Sequence, residues 1–318
     1  MLKEILDKAV YEVAGLEAGT RFADAVNFFI YDSIKIFLLL FFMILLIGFL
    51  RTYISGGRIK AALSGRRAGV GNLFAAMFGA VTPFCSCSSI PVFIGFLKTG
   101  VPRGVAFSFL ITSPLINEYL VVLMAGTFGL KITLLYILSG ISIGVFAGML
   151  LGRMDIERYL VKSDAWGRDT LEETAYKTLR HRFNFGCLEA ANITKRIWVW
   201  ILFGVGIGAL IHGYVPQEAI EKMIGAGGIL TVPIAVLVGI PIYTNCAAVV
   251  PVAVVLFQKG VPLGTALAFM MASSALSLPE AVILRGVMKL ELILIFFTIV
   301  GVSIIAIGYL FNALQVLI

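Results

Sequence analysis

At 60% hydrophobic residues and a mean hydropathy of +1.01 over 318 residues, this chain lies far above the roughly 45–50% apolar content of soluble domains, which excludes a soluble globular protein. The net charge of +7 sits in loops, without an exposed basic face or aromatic stacking platform, so nucleic acid is excluded as a partner. What remains is an all-α, polytopic membrane protein whose first partner is the lipid bilayer.

Residues 1–32 carry six acids and three bases with no long apolar core. They read as an amphipathic helix on the membrane surface and not as a cleaved signal peptide. A spanning helix needs about 20 apolar residues, and 33–50 supplies the first. The loop 51–67 follows with five bases. The segment 70–97 is interrupted near its middle by Pro83 and the polar run Cys85–Ser89, and neither arm is long enough to cross. After the turn at 98–103, residues 104–127 are broken at Ser113-Pro114 and contain Asn117 and Glu118. Residues 132–152 form a clean span. The segment 153–196, with nine Lys and Arg, reads as a cytoplasmic linker.

Residues 197–318 then repeat residues 1–152. PVFIGFLKTGVPRG at 91–104 and PVAVVLFQKGVPLG at 251–264 share six of 14 positions. The match extends through Ala106/Ala266, Phe109/Phe269 and Ser113/Ser273. An offset of 161 pairs Lys35-Ile36 with Arg196-Ile197. An apolar chain of two repeats with Pro- and Gly-broken segments points to a transporter whose site lies between the halves.

Loop charges place 51–67 and 153–196 in the cytoplasm by the positive-inside rule. An even number of crossings must then separate them. The simplest solution makes 70–97 a re-entrant hairpin and gives each half three crossings plus that hairpin. Three is odd, so the second half is expected to be inverted. The counterpart of 51–67, residues 216–228, has two Glu and one Lys, as an external loop should. The expected location is the cell inner membrane.

The strongest chemical signal is the stretch TPFCSCSSIP at 82–91. Pro83 and Pro91 interrupt the helix, and non-helical backbone at membrane depth is tolerated only where protein buries it or it lines a cavity. Cys85 and Cys87 stand among Ser86, Ser88 and Ser89. Thiolates prefer soft ions, among them trivalent metalloids. In half two the counterpart is PIYTNCAAVVP at 241–251, with Pro241, Thr244, Asn245, Cys246 and Pro251. If the breaks face each other, Cys85, Cys87 and Cys246 converge on one soft atom. The bland alternative is that these cysteines pack as small hydrophobes. Asn117 adds a further polar group. Cys187 is read as a bystander.

Two acids fall after breaks: Glu118 after Pro114, and Glu280 after Pro279. A charge at membrane depth costs about 2.5–3.5 kcal/mol on insertion scales and is seldom idle. Glu118 is the expected proton carrier. Glu280 is the second, with helix capping or pairing with Arg285 as its alternative. The 160 offset sets Glu118 opposite Leu278, so the acids pair only with a two-residue slip. Gly204, Gly206 and Gly208 lie in an apolar span and read as close helix packing. No cofactor or catalytic motif is found.

The stretches at 82–91, 98–118 and 262–284 resemble the DUF318 family of predicted permeases. The resemblance implies a multispan permease. Because characterised relatives export trivalent organoarsenicals, it also makes a thiol-reactive arsenical a candidate substrate. Cys85, Cys87 and their Ser and Pro neighbours match the family's signature; Cys246 stands outside it. The expected function is a secondary-active efflux permease. The alternatives are a transporter of another small solute or a metal ion, an intramembrane thiol redox enzyme, or a subunit of a larger complex. The sequence leaves the oligomeric state open.

Overall fold

The computed structural model describes residues 20–51, 69–82, 86–98, 100–154, 157–159, 178–242 without 215–227, and 246–315. Half one contributes α1 (Arg21–Arg51), α2 (Val70–Val81), α3 (Ser86–Lys98), α4 (Arg103–Leu115), α5 (Glu118–Thr127) and α6 (Leu130–Arg153). Half two contributes α7 (Leu179–Tyr214), α8 (Thr231–Gly239), α9 (Cys246–Gln258), α10 (Leu263–Ala275), α11 (Leu278–Leu284) and α12 (Leu290–Gln315). Helices α3 to α6 begin at residues 86, 103, 118 and 130. Their counterparts α9 to α12 each begin 160 residues later, at 246, 263, 278 and 290. The repeat of residues is therefore a repeat of helices.

Among the described residues three stretches are long and apolar enough to cross a membrane: α6, the joined α10–α11 stretch Leu263–Leu284, and α12. The broken pair α4–α5 makes a fourth, its arms bent by 48°. Val70–Val81 is apolar but too short, as an arm of a re-entrant hairpin would be. Large apolar side chains such as Leu134, Leu138 and Phe146 on α6 and Leu294, Val302 and Leu310 on α12 point outward. Such a surface is tolerable in lipid and not in water.

Two segment boundaries differ from the sequence reading. Helix α1 runs unbroken from Arg21, so residues 21–32 share one helix with 33–50. Its 31 residues extend about 46 Å at 1.5 Å per residue. Helix α7 begins at Leu179, so the last part of 153–196 is helical. Charged residues do not break a helix; they only hide its continuity from a reading based on hydropathy. Residues 1–19 lie outside the described ones.

Each half is built on the same glycine contacts. A Cβ on Gly104 of α4 would stand 2.7 Å from the Gly148 carbonyl oxygen and 3.0 Å from Gly152 Cα, both on α6. In half two Gly264 meets Gly308 and Asn312 of α12 in the same way. Small residues let backbones approach this closely, and in lipid that packing holds helices together. The turns match as well. Gly100 (φ 75°) and Gly260 (φ 89°) adopt the left-handed conformation that closes a helix. In each, two amides fold back, Gly100 N to Leu97 O and Val101 N to Phe96 O, Gly260 N to Phe257 O and Val261 N to Leu256 O. This is the Schellman closure, and the following Pro102 or Pro262 starts the next helix.

The halves meet through α1 on α7, α4 on α10 and α6 on α12, and by the reciprocal contacts of α3 with α11 and α9 with α5. Such an exchange is the mark of a two-fold relation. Phe107 of α4 and Phe296 of α12 join the two cores, their ring centres 6.1 Å apart. Helices α1 and α7 run antiparallel: Gly186 abuts Leu45 and Phe49, and twenty residues further along α7 Gly206 abuts Phe29.

Candidate functional site at the helix breaks

The site grows from two breaks per half, one between α2 and α3 or α8 and α9 and one after α4 or α10, which the packing brings together. Gly79, near the end of α2, lies against the last turns of α4: its Cβ would be 3.0 Å from Phe109 O and 3.2 Å from Ser113 N. Gly239 repeats this against Phe269 O at 3.0 Å and Ser273 N at 3.3 Å. The ends of α2 and α8 are thus set beside the breaks that follow α4 and α10. In half two a hydrogen bond ties them, Leu278 N donating to Ile240 O at 2.9 Å. In half one the α4 terminus is held by α6, with Tyr136 Oη donating to Leu115 O at 2.9 Å. The reciprocal contacts of α3 with α11 and α9 with α5 bring α3 and α9 to the other half's break.

The predicted residues distribute over this region as follows. Pro83, Cys85, Thr244 and Asn245 lie outside the described residues. Ser86, Cys87 and Ser88 open α3, and Cys246 opens α9, but their side chains lie outside the described residues. Ser89 is fully buried. Asn117 is half-buried at the α4–α5 break. Pro91 and Pro251 sit inside α3 and α9, so the interruption precedes them and is narrower than the sequence suggests. Pro114 is one residue from the end of α4, Pro241 follows α8, and Pro279 lies in the first turn of α11.

The two acids are not equivalent. Helices α5 and α11 start at Glu118 and Leu278, which bears out the 160 offset. Two residues further along, at about 100° per residue, Glu280 faces the opposite way. Glu118 is exposed, whereas Glu280 is 1% exposed. Its amide donates to the Ser277 hydroxyl at 3.4 Å, capping α11. The buried acid is Glu280, which the sequence reading ranked second as a proton carrier. The pattern S-x-x-E at 277–280 is a capping box signature and was readable. Tyr136, by contrast, carries no signal in the sequence, because its partner is 21 residues away. Cys187 is half-buried in α7.

The comparisons with known proteins agree with this architecture. A family model described as "Predicted permease", ArsP_1, matches residues 21–313. The chain is 22% identical to UPF0718 protein YcgR of Bacillus subtilis over 299 residues, covering 92% of this chain and 98% of that protein. It is also 22% identical to UPF0718 protein MJ0584 of Methanocaldococcus jannaschii over 290 residues, covering 71% of this chain and 80% of that protein. No solved structure matches the chain significantly. With a match that runs from the first turn of α1 nearly to the end of α12, the chain belongs to this family of predicted permeases, as its motifs led one to expect.

Proposed function

We propose that the protein is a secondary-active permease with two inverted halves, exporting a soft, thiol-reactive solute such as a trivalent arsenical. The observation that carries the reading is that α2 and α8 end beside the break of their own half, while α3 and α9 each reach the break of the other half. Transporters bind at such discontinuities, and alternate access follows when one half rocks on the other. The antiparallel packing of α1 on its own counterpart α7 supports inversion. Repeat-related spans that lie side by side run antiparallel when the two-fold axis lies in the membrane plane. The part of 153–196 that precedes α7 then lies in the cytoplasm of an inner-membrane protein.

In this reading Cys85 and Cys87 hold the metalloid and Cys246 supplies a third thiolate from the inverted half. Three sulfurs suit a trigonal centre. Ser86, Ser88, Ser89, Asn117, Thr244 and Asn245 solvate the remainder of the solute. Glu280 carries the coupling proton from its buried position, and Glu118 exchanges it with water at the exposed break.

Methylarsenite binding by the purified full chain, followed calorimetrically, tests the site. Cys85→Ser with Cys87→Ser abolishes binding, Cys246→Ser weakens it, and Cys187→Ser leaves it unchanged. Undiminished binding in the double variant would return the cysteines to packing roles. Flux of methylarsenite into sealed inverted vesicles separates a permease from a thiol enzyme, which would show turnover without accumulation.

A further inference from the structure

The two halves are tied together where the chain leaves α6. Six residues past the end of α6, the Tyr159 carbonyl accepts the amide of Lys289, 2.8 Å away and directly before α12. The end of α6 in half one therefore lies at the same face as the start of α12 in half two. Tyr159 closes a single 3-10 turn, Glu157–Tyr159. Its side chain is half-buried and packs against the main core, with the exposed Arg158 guanidinium 4.7 Å from the ring centre. Arg153, Arg285 and Lys289 are exposed here as well, as bases at a water interface are.

The turn beside this strap is closed in an unusual way. Connecting segments run over protein surfaces and stay accessible, yet Gly286, Val287 and Met288, which join α11 to α12, are buried, Met288 completely. Helix α11, which the turn follows, carries the buried Glu280 and packs on α7 and α3. At the far end of α6 the halves meet through side chains instead. Phe128, just before α6, and Phe257, at the end of α9, have ring centres 5.9 Å apart. A contact thus passes from half to half at either end of α6, a main-chain bond at one and a ring pair at the other.

We infer that the Tyr159 strap is a latch, which holds the α11–α12 turn shut at its face of the membrane and releases it in each transport cycle. The inference rests on the permease reading, since only a protein whose halves rock needs such a contact to open. Rocking separates the halves at one face while the contacts at the other hold. A lone amide-to-carbonyl bond at a water interface suits that task, because water satisfies both groups when it breaks. The strap follows α6 directly, so it moves with half one, and the turn it holds moves with half two. Release opens the buried turn to water on this side, and with it the path to Glu280 along α11.

The test uses the full chain in nanodiscs with Val287→Cys as the reporter. A charged maleimide labels it, and peptide mass spectrometry reads that residue alone, so the native cysteines do not interfere. Lys289→Pro removes the amide that Tyr159 accepts, at a position before a helix that tolerates proline, whereas Lys289→Ala keeps the amide. The proline variant should label about three- to tenfold faster, as the loss of one hydrogen bond allows, and the alanine variant no faster than the reporter alone. Met124→Cys, buried on α5, is the control for the fold. If it too labels faster, the proline has loosened the whole molecule, and Tyr159→Ala, which leaves α12 intact, takes its place with the same expectation. In sealed inverted vesicles the faster-labelling variant should accumulate less methylarsenite than the wild type, because one face no longer shuts. Equal labelling in the variant that frees the strap and in the reporter alone overturns the latch, and so does faster labelling with undiminished accumulation. No accumulation by the wild type would instead fail the permease reading, while the labelling still decides whether the strap closes the turn.

Discussion

The break after α4 and the break after α10 occupy the same place in the repeat and are held in different ways. After α4 the chain bends by 48°, Asn117 is half-buried, Glu118 is exposed, and the last carbonyl is held from outside by Tyr136. After α10 the helix resumes through a Ser277 cap, Leu278 is tied to Ile240, and Glu280 is buried. The residue equivalent to Tyr136 is Phe296, which has no hydroxyl to give. A duplicated unit has thus kept its geometry and changed its chemistry. One break exposes its acid and the other buries it.

The largest effect that separates the breaks is expected at the acids. Glu280→Gln keeps the volume and removes titration, so proton-driven flux into vesicles should fall to background while solute binding persists. Glu118→Gln should slow flux only in part, since at an exposed break water can take over the proton exchange. Wild-type flux in Glu280→Gln would assign that acid to capping alone.

Next come the glycine contacts common to both halves. Gly104→Ala and Gly264→Ala push a Cβ into backbone and should each destabilise the purified protein by about 1–3 kcal/mol. Gly95→Ala in α3 meets nothing within 4 Å and should be neutral or stabilising by up to about 1 kcal/mol. Denaturant titration in detergent reads both. Similar losses at all three sites would contradict the close approach.

A smaller effect concerns the support of the break after α4. Tyr136→Phe converts half one to half two's chemistry and strands the buried Leu115 carbonyl, at a cost of about 1–3 kcal/mol. The smallest net change is expected where half one has a polar pair and half two an apolar one. Asn72 Nδ2 donates to Ser108 Oγ at 2.9 Å, and the equivalent positions hold Val232 and Ala268. Ser108→Ala alone leaves a buried amide unpaired and should cost about 1–3 kcal/mol, whereas Asn72→Val with Ser108→Ala should recover nearly all of it. Additive losses in that double variant would show that the pair does more than satisfy itself.

Much of this was legible in the residues. The motif at Gly100-Val101-Pro102 and Gly260-Val261-Pro262 marks the turns, Ser113-Pro114 marks the break, and the 160 offset sets the helix starts. Those signals are local, and local backbone chemistry decides them. The burial of Glu280 was not legible, because two residues of slip rotate a side chain to the other face of its helix. The continuity of α1 across Asp24 and Asp32 was hidden by charge. The antiparallel register of α1 on α7 joins residues some 150 apart, which no local pattern encodes. The sequence pointed to the cysteines by softness and spacing, and their roles rest on the binding experiment.

The claim that the halves are inverted is tested most directly by reporters that are active on one side of the membrane only. Fused after Arg67 and after Gly227, equivalent points of the two halves, they should report cytoplasm at the first and exterior at the second. The same side at both points would make the repeats parallel, and would contradict the arrangement on which the site between the hairpins depends.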